Sequence, residues 1–157
     1  MRVLLAVDGS TCSDAAVENV AARQWPAGTK ILVFSAYEPA RLMAMTETWA
    51  PPQGFYETLE KTGKQRAEQL TARASERLRG ACAPGVDILQ EVSRGLAKEV
   101  ILEAADRLGA DLIVVGSHGY QGWKRMWLGS VSHAVASHAQ CSVLIVRTAR
   151  GTSEGGE

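Results

Sequence analysis

Cysteine is scarce in this chain. Cys12, Cys82 and Cys141 stand far apart among 157 residues, and no C-x-x-C pair occurs. That number and spacing exclude a disulfide framework or a zinc site of familiar pattern, and free thiols suit a reducing compartment. Net charge is lacking too, because 17 Lys and Arg balance 17 Asp and Glu. A neutral chain lacks the electrostatic footprint of a nucleic-acid binder. It also lacks the basic excess that draws proteins to anionic membranes. No apolar run approaches the ~20 residues of a membrane span. The run after Met1-Arg2, which ends at Asp8, is too short for a signal peptide. The expectation is a cytoplasmic protein with neither a nucleic-acid nor a membrane partner.

What is present is ordinary. Apolar residues make up 46% and charged residues 22%, a globular composition that excludes disorder as the main state. A chain of this length fits one domain burying roughly 70% of its unfolded surface. No internal repeat is visible.

Four apolar runs are about strand length: Val3–Val7, Ile31–Phe34, Leu112–Val115 and Val143–Val146. They are continuous rather than alternating, which marks strands buried on both faces of a parallel sheet. A fifth run, Val86–Val92, mixes in Asp87, Gln90 and Glu91 and suits a sheet edge. Helical spacing of apolar residues separates the runs, over Ser10–Arg23, Leu59–Arg79, Leu96–Leu108 and about Ser130–His138. Ser10 and Thr11 can cap the first helix, and Gly109 sits where a helix end favours a left-handed residue. Strands alternating with helices predict repeated βαβ units, hence an α/β, doubly wound, Rossmann-like open sheet. Two segments stand apart from the core. Glu38–Glu57, with Pro39, Pro51, Pro52 and Gly54, reads as a surface excursion rather than a lid. Residues 148–157 read as a disordered tail following a single domain over 1–147.

The chemically informative stretch is Gly116-Ser117-His118-Gly119, nine residues, then Gly129-Ser130. It follows a buried strand and opens a helix. Small residues let the backbone approach a phosphate closely, and a helix start adds N–H donors and a partial positive charge. The Ser130 hydroxyl is a further donor. The pattern is neither G-x-x-x-x-G-K-[ST] nor G-x-G-x-x-G.

G-x-x-G, nine residues, then G-[ST] resembles the ATP-binding motif of the universal stress protein family. Val3-Leu4-Leu5-Ala6-Val7-Asp8-Gly9-Ser10 resembles that family's first strand and its Asp-Gly-Ser turn. Gly109–Gly119 looks like its fourth strand and loop, and Leu128–Ser132 with His138–Val146 looks like its closing helix and fifth strand. The resemblance implies five parallel strands in order 3-2-1-4-5, of the adenine nucleotide alpha hydrolase-like type. It implies ATP, alone or with Mg2+, at the carboxyl ends of strands one and four. It also implies Asp8 beside the ribose, Ala36 offering backbone groups to adenine, and Gly116, Gly119, Gly129, Ser130 and Val131 around ribose and phosphates; His118, in the middle of the glycine loop, is placed to donate to phosphate. A homodimer through Val143–Val146 follows from the same likeness, and from the apolar edge that strand would leave. Tyr120 stands where many members carry Arg, which removes one cation that could face phosphate. Gln140 and Ser142 replace prolines common before the last strand.

Each residue also has a plainer role. Asp8 can be a turn residue or helix cap, and His118 a solvated loop residue. Lys124 and Arg125 read as a solvated pair, Trp123 and Trp127 as packing, and His133 and His138 as helix residues. Cys12 lies where a helix start favours a thiolate, although a small packed residue explains it too. The functional expectation is an ATP-binding regulatory or stress-response protein with at most slow hydrolysis, since no G-x-S-x-G elbow occurs. The alternatives are a nucleotide-using hydrolase or transferase, which needs a catalytic base and a second pocket, and a nucleotide-free dimerisation module, which the intact glycines oppose. A receiver-like domain would need a second acidic residue beside Asp8, and Val7 and Gly9 flank it.

Overall fold

The computed structural model describes residues 1–38, 54–118 and 128–148. Along these residues run β1 (Arg2–Ala6), α1 (Thr11–Ala21), β2 (Lys30–Tyr37), α2 (Phe55–Arg79), β3 (Asp87–Arg94), α3 (Ala97–Leu108), β4 (Leu112–Gly116), α4 (Ser130–His138) and β5 (Ser142–Val146). The five strands form one parallel sheet in the order β3-β2-β1-β4-β5. Fold class and strand order are those expected.

Continuous apolarity in the strands has the anticipated cause. Side chains of one strand alternate between two cores. Val3, Leu5, Ile31, Val33 and Val114 pack with Ala16, Val17 and Val20 of α1 and Ala74 and Leu78 of α2. Leu4, Leu32, Phe34, Ile113 and Val115 pack with Val100, Ile101, Ala104 and Ala105 of α3 and Val135 of α4. Each large side chain fully buried this way, such as Phe34 or Leu4, contributes about 1.5–3 kcal/mol. Among the described residues, the mixed strand β3 lies at one edge and pairs only with β2, and β5 lies at the other and pairs only with β4. Among the described residues no helix is long and apolar enough to cross a membrane.

Several boundaries differ from expectation. β2 runs on to Tyr37, because Ser35–Tyr37 pair with Val92–Arg94 beyond the end of β1. α2 begins at Phe55, so the far end of the expected Glu38–Glu57 excursion is helical. Phe55 and Leu59 keep a four-residue spacing but stay 38% and 37% exposed, so burial marks no boundary between them. Thr58 Oγ1 donates to Gly54 O at 3.0 Å and secures that first turn. Residues 39–53, and the expected tail from 149 onward, lie outside the described residues.

Candidate functional site

β1 leads into α1 on one face of the sheet, and the chain beyond β4 reaches α4 on the other. The sheet order therefore reverses between β1 and β4, and a crevice opens at their carboxyl ends. Asp8, Ala36, Gly116, His118, Gly129, Ser130 and Val131 all belong to segments at this end. Gly119, Tyr120, Trp123, Lys124, Arg125 and Trp127 lie outside the described residues.

The β1 side is a tight turn. The Ser10 N–H donates to Asp8 Oδ1 at 2.9 Å, which fixes the carboxylate two residues back along the chain. Gly9 has φ +76°, a left-handed conformation that favours glycine, and a Cβ there would also push on Leu70 Cδ2 at 2.8 Å. Ser10 then caps α1, its Oγ accepting from the Ser13 N–H at 3.2 Å. Asp8 is exposed, in a turn beyond the last residue of β1. The plain turn role is thus real and leaves the side chain at the crevice.

The β2 side depends on how the ladder ends. Val7 N–H donates to Phe34 O at 2.8 Å. Successive strand residues direct their main-chain groups to opposite neighbours, so those of Ala36 face the β1 side. In a continuing ladder the Ala36 N–H would meet Val7 O, which lies beyond the last residue of β1 and accepts the Ser35 hydroxyl at 2.8 Å. The Ala36 main chain is accordingly directed past the end of β1, toward the crevice.

The β4 side brings α1 against the strand end. A Cβ on Gly116 would lie 2.7–2.9 Å from the backbone and Cβ of Cys12 and the N of Ser13, so this glycine serves close approach rather than an unusual φ. The Ser117 N–H extends the ladder to Val146 O at 2.7 Å. Ser117 O accepts the Gly129 N–H at 2.8 Å and the Ser132 hydroxyl at 3.0 Å, and that hydroxyl is shared with Gly129 O at 3.0 Å. His118 O accepts the Ser10 hydroxyl at 3.1 Å. Gly129 contributes close packing: a Cβ on it would meet Ser117 O at 3.2 Å and His118 Cα at 3.3 Å. Its N–H is spent on Ser117, and His133 N–H makes the first bond within the helix, so the donors at the head of α4 are those of Ser130, Val131 and Ser132.

α4 has no side-chain cap, in contrast to α1. The first N–H groups of a helix have no partner within it, and an uncapped start is a place for an anion. His133 and His138 are exposed on α4, and His138 Nδ1 lies 2.9 Å from Ala134 O, in keeping with helix residues.

Cys12, buried at 8% exposure, lies under the Ser117–His118 segment. Burial pushes its thiol up, but the Ser117 hydroxyl at 3.5 Å, the His118 and Thr148 backbones and the Thr148 side chain outweigh it and hold the thiol below its ordinary value. Burial pushes Cys82 and Cys141 up instead. Sequence reasoning missed Ser35, Ser117 and Ser132. The only available signal was a hydroxyl inside an otherwise apolar strand or helix face. Among the described residues no group of three or more His, Cys, Asp or Glu side chains could hold a metal ion.

Comparison with known proteins bears on the family and the fold. The model of the universal stress protein family matches residues 1–147. A universal stress protein from Thermus aquaticus is 36% identical over 145 residues, covering 92% of this chain and 97% of that protein. YxiE, a universal stress protein of Bacillus subtilis, is 32% identical over 148 residues, covering 93% and 98%. A crystal structure of a universal stress protein in complex with cAMP is 26% identical, with a TM-score of 0.64 and coverage of 94% and 96%.

Proposed function

The chain belongs to the universal stress protein family, and from that premise we propose that it binds an adenine nucleotide, ATP foremost, in the crevice between β1 and β4. The observation that carries this reading is the uncapped start of α4 directly beside the end of β4, with its small residues and unspent donors. The Ala36 main chain, turned past the end of β1, can present one donor and one acceptor to the edge of adenine. Asp8, its carboxylate fixed by the Ser10 N–H, supplies an acceptor for ribose hydroxyls. The cAMP-bound relative supports an adenine nucleotide as the ligand class. A Mg2+ travelling with ATP would be held by the phosphates rather than by a preformed protein cage.

The role we propose is regulatory: occupancy of the crevice reports nucleotide state to a stress response. We further propose a homodimer through β5, whose outer edge has no partner strand among the described residues and carries half-buried Val143, Leu144 and Ile145. Sedimentation at micromolar concentration should find a dimer that Ile145→Lys dissociates without abolishing nucleotide binding. A monomer, unshifted by ATP, rejects the dimer. Calorimetric titration with ATP, AMP, cAMP and adenosine tests the binding proposal. Saturable ATP binding, weakened by Ser130→Ala more than adenosine binding is, agrees with it. Absence of binding by every adenine nucleotide overturns it.

A further inference from the structure

α1 and α2 lie on one face of the sheet and run in the same direction, since each leads from the carboxyl end of one strand back to the start of the next. They carry charges at matching spacing. Asp14 and Glu18 stand one turn apart on α1, and Arg73 and Arg77 one turn apart on α2; all four line one cavity between the helices. One rung of this ladder is closed: Arg77 donates to the Glu18 carboxylate from Nε at 2.8 Å and from Nη2 at 2.6 Å. The rung nearer the carboxyl ends of the strands is open. Asp14 and Arg73 form no ion pair, and neither side chain has a hydrogen-bond partner among the described residues.

The cavity measures about 440 Å³, within the range of small-molecule sites. Its floor is apolar: Val7, Val17 and Ala74 are buried and Leu70 is half-buried. It is not the nucleotide crevice. The start of α1 stands between the two, packing on Gly116 of β4 through Cys12 and lining the cavity through Asp14 and Val17. Two unpaired charges of opposite sign above an apolar floor suit one kind of ligand. A plain apolar acid would meet Asp14 and also Glu76, which lines the same cavity, and a plain apolar amine would meet Arg73. A zwitterion answers both signs. To reach the floor, its apolar group must branch from the point between the two charges. An α-amino acid has that shape, because one carbon bears ammonium, carboxylate and side chain; an ω-amino acid spends its chain between the charges.

We propose that the cavity between α1 and α2 is a second small-molecule site, for an apolar α-amino acid. Arg73 takes the carboxylate with its forked donors, Asp14 takes the ammonium group, and the side chain lies on Val7, Val17, Leu70 and Ala74. The ligand closes the open rung as Arg77 and Glu18 close the other, and that second pair holds the two helices in place before the ligand arrives. The site does not depend on nucleotide binding, but it touches the same turn: Gly9 and Ser13 line the cavity, and Ser13 Oγ accepts the Asp8 N–H at 3.2 Å.

The test is a magnetic resonance titration of the full chain with phenylalanine and leucine, set against three analogues of phenylalanine. N-acetylphenylalanine lacks the ammonium group, phenylalanine amide lacks the carboxylate, and alanine lacks the apolar body. Phenylalanine and leucine should bind saturably, with shifts at Asp14, Val17, Leu70 and Arg73. The acetyl and amide forms should bind about fivefold more weakly, the upper end for one exposed ion pair. Alanine should bind more than about tenfold more weakly, for want of a side chain to bury. Arg73→Gln and Asp14→Asn should each weaken phenylalanine by about fivefold. Should Asp14→Asn disturb the first turn of α1, Arg73→Gln, on the exposed rim, still carries the test. Saturating ATP should leave phenylalanine bound. No saturable binding of phenylalanine or leucine at millimolar concentration overturns the proposal, and so do equal binding of the analogues, variants that bind as the full chain does, or displacement by ATP. A chain that binds phenylalanine in this way but no nucleotide would reject the nucleotide reading alone.

Discussion

Gly116→Ala is the most incisive perturbation of the crevice. The added Cβ would lie 2.7 Å from the Cys12 carbonyl carbon, 2.8 Å from Ser13 N and 2.9 Å from Cys12 Cβ. Non-bonded carbons rest at about 3.5–4.0 Å, so the start of α1 must move away from β4 by roughly 0.6–1.3 Å. Two of the three atoms are backbone, which no rotamer change can relieve. Such overpacking costs about 1–3 kcal/mol. Alanine in place of glycine in a strand would by itself stabilise by about 0.5–1 kcal/mol, so any net loss measures the clash. The net cost is then at most about 2.5 kcal/mol, and at about 2–4 °C per kcal/mol for a chain of this size the expected fall in Tm is up to about 10 °C. Gly129→Ala is the control, since its nearest contacts are 3.2 and 3.3 Å and its φ is −69°, and it should change Tm far less. Thermal unfolding followed by circular dichroism reads both. Gly116→Ala melting above the unmodified chain, as alanine without a clash would, would refute the packing argument. Nucleotide affinity should fall with it, because the displaced turn carries Ser10, Cys12 and Ser13.

Two carboxylates tie elements together in a pH-dependent way. The Arg77 hydrogen bonds hold Glu18 below its usual range, and the Arg2 backbone N–H, at 2.6 Å, holds Asp111 down. Their contribution is complete above the unfolded pKa values near 4 and disappears as pH falls through the lower folded ones. The Glu18→Gln/Asp111→Asn double variant should therefore be less stable to urea than the parent at pH 7, with the gap closing in acid; a gap that widens in acid contradicts the assignment. The three thiols should also separate. With the pKa of Cys12 lowered and those of Cys82 and Cys141 raised, mass spectrometry should find the onset of iodoacetamide labelling at Cys12 at the lowest pH of the three. A common onset would mean that the Ser117 hydrogen bond does not stabilise the thiolate.

The strands buried on both faces were legible because Val3–Leu5 and Ile113–Val115 leave no polar position for solvent. β3 was legible as an edge for the converse reason, since only one of its sides is paired. The ends were less legible. Whether β2 stops at Phe34 or Tyr37 depends on β3, a partner remote in sequence, and Phe55 begins α2 without burying a side chain that periodicity would detect. In the candidate site, Gly116 and Ser130 stood out because small residues at a strand end and a helix start are the pattern a phosphate-binding geometry would need. Ser35 and Ser132 could not, because a hydroxyl in an apolar stretch says nothing about which carbonyl it will meet. The contact of Cys12 with Ser117 joins residues 105 apart and exists only once α1 packs on the end of β4.

The most direct test is an amide-resolved magnetic resonance titration of the 15N-labelled chain with ATP. The account predicts shifts concentrated at Asp8, Ala36, Gly116 to His118, Ser130 and Val131, with adenosine reproducing the change at Ala36 but not those at Ser130 and Val131. A spectrum unmoved by millimolar ATP, or shifts confined to surfaces away from the ends of β1 and β4, would contradict it.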